Sequence, residues 1–97
     1  MPPEPAGTLD ERLRALAHPV RRQLVTACLA EPQPAGRLVE LTQLAPASVS
    51  EHLKVLRKTG LLVLEARGRF RLYSTDARVV AATASSLLAV IEVSPAR

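Results

Sequence analysis

The chain's 97 residues leave room for one small domain and not two. With 47% apolar residues but one Phe and one Tyr, the core must be aliphatic, built from Leu, Val and Ala, a composition that favours helix over sheet. A single cysteine, Cys28, excludes an intramolecular disulfide and a cysteine zinc cage, and the net charge of +4 is too small by itself to name a partner.

The opening MPPEPAG holds three of the eight prolines and reads as a disordered arm over residues 1–7, ahead of one folded unit over 8–93. It has neither the basic start nor the long apolar run of a signal peptide, and no apolar stretch approaches membrane-spanning length. The expectation is a cytoplasmic protein. Thr8 and Glu11 then fit a capping box, with Leu9, Leu13 and Leu16 on one face of a first helix. That helix should end near Ala17, because Pro19 disfavours helical geometry at His18. Pro19 suits the first position of a second helix running through Val20, Leu24, Cys28 and Leu29. On that helix Cys28 reads as a small buried hydrophobe.

EPQPAG is a loop. A short third helix, roughly Gly36 to Thr42, should turn Leu38 and Leu41 inward. Gln43 to Ala45 makes a tight turn, and a fourth helix begins at Pro46 and is stopped by Gly60. Beyond it LLVLEARGRFRLYST reads as two short strands around a turn at Arg67–Gly68, with Gly68 supplying a positive φ. Leu61 to Leu64 is a continuous apolar run, so one strand can be covered on both sides. Asp76 can cap a last helix, in which ten of the thirteen residues from Val79 to Ile91 are apolar, broken only by Thr83, Ser85 and Ser86. A helix apolar nearly all round must be buried all round, and so small a domain can cover only one side. The other side calls for a partner subunit.

Function concentrates in the fourth helix and the hairpin. At about 100° per residue, Val49, Leu53 and Leu56 form a narrow inner stripe while Ala47, Glu51, Lys54 and Lys58 face the opposite way. Ser50 and Arg57 flank the stripe on one side and Ser48 on the other. Unpaired N–H groups at a helix start favour phosphate, and the small Ala47 and Ser48 allow close approach. Lys54, Arg57, Lys58, Arg67, Arg69 and Arg71 stand against one acid, Glu65, so this short segment carries +5, more than the whole chain's +4. A confined basic patch on an otherwise balanced protein points to an anionic partner. Arg69 and Arg71, two apart, are expected on one strand face with Phe70 and Leu72 on the other. An arginine at such a tip can enter a minor groove or clamp phosphate. Tyr73 reads as packing, and His52, at the edge of the inner stripe, as a packed or hydrogen-bonded side chain touching phosphate at most. Arg21 and Arg22 could reach phosphate from the start of the second helix.

ALAHPVRRQLV, then RLVELTQLAPASVSEHLKVLRKTGLL, then ARGRFRLY, over roughly residues 12–75, resembles the ArsR-type winged helix-turn-helix transcriptional repressors. The resemblance implies a mainly α fold with a small β-hairpin, in the order α-α-α-α-β-β-α, that works as a dimer. Helix 37–42 would brace the DNA backbone, helix 46–59 would read the major groove and hairpin 63–74 would be the wing. The contact set implied for double-stranded DNA is Ala47, Ser48, Ser50, Glu51, His52, Lys54, Arg57, Lys58, Arg67, Arg69 and Arg71. The first and last helices would form the dimer interface through Leu9, Leu13, Leu16, Val80, Leu87, Leu88 and Ile91. A homodimer on an inverted-repeat operator, repressing by occlusion and associated with the nucleoid, is the expectation.

Ala45 stands where the family commonly has a serine cap, a loss of about 1 kcal/mol, and Gln43 where the turn often has glycine. Glu51 replaces a commoner basic or polar residue; it repels phosphate but can accept from cytosine N4, or pair with Lys54. Many family members sense metals through cysteines on the third helix or Asp and His on the last. Here AGRLVELT has neither cysteine nor histidine, and the last helix offers only Asp76 and Glu92, too few ligands for zinc. His18 and His52 lie far apart in the sequence and fit neither site. The expectation is no metal, no cofactor and no response to metals, with any small-molecule effector undefined. No nucleophile–base pair, paired carboxylates or phosphate loop points to an enzyme. Two alternatives stay open: a winged protein-interaction module without DNA, and a repressor under thiol control through Cys28.

Overall fold

Thr8 opens the first helix, α1 (Leu9–Leu16), with a reciprocal capping box. Its Oγ1 accepts from the Glu11 N–H at 3.2 Å, and Glu11 Oε1 accepts from the Thr8 N–H at 2.8 Å. The computed structural model describes residues 7–92. Of the expected arm over 1–7 only Gly7 falls inside them, and the expected domain end at residue 93 falls outside. After α1, His18 is extended (φ −128°, ψ 123°) and Pro19 takes the first turn of α2 (Pro19–Ala30), where its missing N–H costs nothing.

Two short links then set the helix-turn-helix and its exit. α3 (Ala35–Thr42) ends on Gln43, which takes the left-handed conformation (φ 60°) and donates its N–H to the Val39 carbonyl at 3.0 Å. α4 (Pro46–Lys58) follows directly. It closes through Gly60 (φ 80°): the Gly60 N–H donates to the Arg57 carbonyl and the Leu61 N–H to the Leu56 carbonyl, both at 3.0 Å. That paired bonding is a Schellman stop, and it swings Leu61 and Leu62 into the core as the chain enters the hairpin.

The hairpin is β1 (Leu62–Arg67) and β2 (Phe70–Thr75), antiparallel, with Leu64 opposite Tyr73 and Arg67 opposite Phe70. The connection is therefore the two residues Gly68 and Arg69, one residue later than the sequence suggests. Gly68 (φ 61°) is its first central residue and Arg69 keeps a negative φ, the pattern of a type II′ turn. Tyr73 also exchanges backbone hydrogen bonds of 2.8 and 2.9 Å with Gln33, fastening the wing to the α2–α3 loop. Asp76 Oδ1 accepts from the Arg78 and Val79 N–H groups and starts α5 (Ala77–Glu92).

The core joins Ala15 of α1, Leu24, Val25 and Cys28 of α2, Leu38 of α3, Val49, Leu53 and Leu56 of α4, and Leu61 and Leu62. Each fully buried Leu contributes ~1.5–3 kcal/mol of transfer free energy. Leu41, expected to turn inward, is 46% exposed, and Leu29 of α2 is 57% exposed. On α3 the buried arc is centred between Leu38 and Val39, which leaves Leu41 beyond its edge. On α2 it is centred near Leu24 and Cys28, and Leu29 sits at its rim. The apolar run Leu61–Leu64 is covered only in part, since Val63 is exposed. On α5, Thr83 is the buried residue, its hydroxyl donating to the Val79 carbonyl at 2.7 Å, while Leu87, Leu88, Val90 and Ile91 stay exposed. No helix among the described residues is long and apolar enough to cross a membrane.

Candidate nucleic-acid interface

The site starts from what fixes α4. Val49, Leu53 and Leu56 are at most 2% exposed, so one stripe is locked into the core and the helix cannot rotate about its axis. Ala47, Ser48, Ser50, Glu51, Lys54, Arg57 and Lys58 are all exposed along the remaining surface. Ala45, the residue before the helix, offers no side-chain cap, and Pro46 has no N–H. The last turn carries Arg57 and Lys58, cations placed where the helix dipole favours them.

Two arginines that the sequence did not mark as structural hold α4 to its neighbours. Arg12 of α1 donates through Nε to the Thr59 carbonyl at 2.9 Å, satisfying an acceptor at the end of α4. Arg21 of α2 donates through Nε to His52 Nδ1 at 3.0 Å. His18 lies close by, its ring centroid 6.3 Å from that of His52, so two histidines far apart in sequence meet at the junction of α2 and α4. Partial burial lowers the pKa of His52 from its ordinary value, and the charges of Arg21 and His18 push the same way against a small opposing effect of Glu51. A neutral ring is also what the bond requires, because Nδ1 must accept. His52 is thus half-buried and hydrogen-bonded, unlike the other ten residues of the expected contact set. Arg22 turns back instead, its Nη1 donating to the Leu16 carbonyl at 2.7 Å and closing the end of α1. Nothing in the sequence distinguishes these three arginines from solvated ones, since their acceptors are backbone carbonyls or a side chain 31 positions away.

The hairpin presents its cations differently from the expectation. Arg69 lies in the turn, so it does not share a strand face with Arg71. Arg71 stands opposite Ala66 on the face of Tyr73, and Arg67 stands opposite Phe70 on the other face, with Phe70 62% exposed beside it. Arg67 Nη2 approaches Glu65 Oε2 at 3.5 Å, an exposed pair of little energetic weight. Lys54, Arg57 and Lys58 have no acidic partner among the described residues. The result is an exposed helix face of serines and cations beside a hairpin tip carrying an arginine on each face and one at its apex. No group of three or more His, Cys, Asp or Glu that could hold a metal occurs among the described residues.

The family model of a helix-turn-helix domain matches residues 16–65, spanning α2, α3, α4 and the start of β1. The HTH-type transcriptional regulator NmtR of Mycobacterium tuberculosis is 36% identical over 69 residues, which is 71% of this chain and 58% of NmtR. The HTH-type transcriptional repressor SmtB of the same species is 38% identical over 74 residues, 73% of this chain and 55% of SmtB. The chain thus spans little more than half the length of these curated relatives. An ArsR-like transcriptional regulator from Rhodococcus sp. RHA1 superposes with a TM-score of 0.77 at 23% identity, covering 84% of this chain and 77% of that one, a likeness of fold.

Proposed function

The chain belongs to the ArsR-type winged helix-turn-helix regulators, and from that premise we propose that it is a homodimeric, sequence-specific DNA-binding repressor. The observation that carries the reading is α4 itself. Its core stripe is buried to 2% exposure or less, while the opposite surface is free and lined with Ser48, Ser50, Glu51, Lys54 and Lys58. A helix so held can enter a major groove as a rigid body. In this reading Ser48, Ser50, Glu51 and Lys54 meet base edges and supply selectivity. Arg57 and Lys58, with Arg67, Arg69 and Arg71 of the wing, meet phosphate and supply affinity, and Ala47 lets the backbone come close. His52 acts by holding Arg21 rather than by touching DNA.

The second copy comes from α5. Leu87, Leu88 and Ile91 are 55–72% exposed on one helix, and Leu9 of the adjacent α1 is 39% exposed. So much apolar surface is a cost in water that pairing removes. Leu13, Leu16 and Val80 are half-buried; Leu16 and Val80 pack on this chain's own core and so form the edge of the interface rather than its centre. Twofold pairing would place two α4 helices in successive major grooves about 34–36 Å apart, which calls for an inverted repeat. Repression follows if the dimer covers sequence that the polymerase needs. The folded unit in this reading runs from residue 8 to 93. Metals are not the signal: residues 35–42 contain no Cys or His, and α5 has no His or Cys.

The test is selection from a random duplex library followed by titration of the enriched sequence. Enrichment of an inverted repeat bound by two chains supports the proposal; recovery of unenriched DNA, or no DNA at all, refutes it.

A further inference from the structure

A cleft of about 820 Å³ lies along the C-terminal half of α4. Lys54, Arg57 and Lys58 of α4 and Arg12 of α1 form its rim. Its apolar lining comes from Val63, 44% exposed, and Leu64 of β1 and Val79 of α5, over the buried Leu62. Asp76, the one carboxylate at the cleft, accepts from the backbone N–H groups of Arg78 and Val79 and is occupied as the cap of α5. Duplex DNA can use the three α4 cations but has no use for an aliphatic lining. A small molecule with an anionic head and a hydrocarbon body uses both. Volumes of several hundred cubic ångströms suit such ligands, whose orientation is fixed by a few charged groups over an apolar lining.

We propose that this cleft is an effector site for an amphipathic organic carboxylate, and that its occupant takes Lys54, Arg57 and Lys58 away from DNA. The carboxylate meets the rim and the chain lies over Val63, Leu64 and Val79. The two ligands oppose each other because they share cations, so neither needs a long-range change of shape. The second half of the proposal rests on the DNA-binding reading above; the first half does not.

Octanoate is the probe, with acetate as the head without the body. Calorimetric titration of the full chain without DNA should show saturable binding of one octanoate per chain, at least tenfold tighter than acetate. Val63→Asn, at an exposed strand position that keeps the charge unchanged, should weaken octanoate at least threefold while its circular dichroism spectrum stays that of the parent. Arg57→Gln should weaken octanoate and duplex together. Octanoate at saturation should lower duplex affinity at least tenfold. Equal affinities for octanoate and acetate, or octanoate binding unaffected by both substitutions, would overturn the site. Duplex affinity unchanged at saturating octanoate would overturn the competition. A chain that binds octanoate but no duplex at all would sink the DNA-binding reading and leave the cleft assignment standing.

Discussion

Arg21 Nε donates to His52 Nδ1 at 3.0 Å, tying the start of α2 to the middle of α4. The bond exists only while His52 Nδ1 is unprotonated, and burial, Arg21 and His18 all lower the pKa of that ring. A histidine whose pKa is lower in the folded chain stabilises the fold above its ordinary pKa of about 6.5. That stability is lost as pH falls through the folded value. The melting temperature should therefore drop on acidification below about pH 6.5 in the parent and drop less in His52→Gln. Nuclear magnetic resonance titration should place the His52 pKa below that of an unfolded peptide, and Arg21→Met should raise it. A His52 pKa above the peptide value would refute the pairing.

Cys28 is 2% exposed and burial pushes its thiol pKa up to about 11. Because the thiolate is the reactive form, the native chain should resist a disulfide reagent at neutral pH and react fully once denatured. Rapid modification of the folded protein, with release from DNA, would restore the thiol-control alternative.

Gly68 has φ 61° at the first central position of the wing turn, and a Cβ there would meet no neighbour within 4 Å. The penalty in Gly68→Val is thus conformational rather than steric crowding, about 1–3 kcal/mol paid locally. Amide exchange should quicken in β1 and β2 beyond the tip while α2 and α4 stay protected. Uniformly faster exchange across the chain would mean that the hairpin is not a separable unit.

Ile91 is 72% and Leu88 55% exposed on α5. If they meet a second copy, Ile91→Lys should convert dimer to monomer in sedimentation equilibrium with the helix content retained. The same variant should bind an operator at least tenfold more weakly, since the second reading helix is lost. A parent chain that sediments as a monomer at all concentrations would remove the twofold arrangement.

How far the sequence reaches can be argued from particular residues. The Thr8–Glu11 box, Pro19 and Pro46 at helix starts, Gly60 at a helix stop and Asp76 as a cap are local devices, and each acts on residues within five positions of itself. They placed α1, α2, α4 and α5, while the proline loop before α3 and the glycine of the hairpin turn marked the other three elements. What escaped depends on partners distant in the chain. The bonds Arg21–His52 and Arg12–Thr59 span 31 and 47 residues. Leu41 and Thr83 show the same limit from another side. Periodicity gives a helix its apolar face, but which edge of that face is covered depends on where the neighbouring element crosses. The turn was displaced by one residue because Arg67–Gly68 and Gly68–Arg69 both satisfy the need for a glycine at positive φ, and only the pairing of Arg67 with Phe70 decides between them. That one residue removed Arg69 from the strand face it was expected to share with Arg71. In the candidate site, exposure of the α4 residues followed from the narrow inner stripe, as did the packed, hydrogen-bonded state of His52 at its edge, whereas its partner Arg21 did not.

Ser50 and Arg69 divide the proposed interface into a reading part and a phosphate part. Ser50→Ala should shrink the gap in affinity between operator and random duplex, each base-edge contact carrying ~1–3 kcal/mol of discrimination. Arg69→Ala should weaken every duplex alike and flatten the salt dependence by about one phosphate contact. Equal losses on operator and random duplex in Ser50→Ala would deny it a reading role.

The most direct measurement is duplex affinity as a function of salt concentration, taken together with the number of chains bound per operator. The account predicts two chains per duplex and a logarithmic affinity that falls linearly with the logarithm of salt, with a slope set by several phosphate contacts per subunit. Affinity independent of salt, or one chain saturating each duplex, would contradict it.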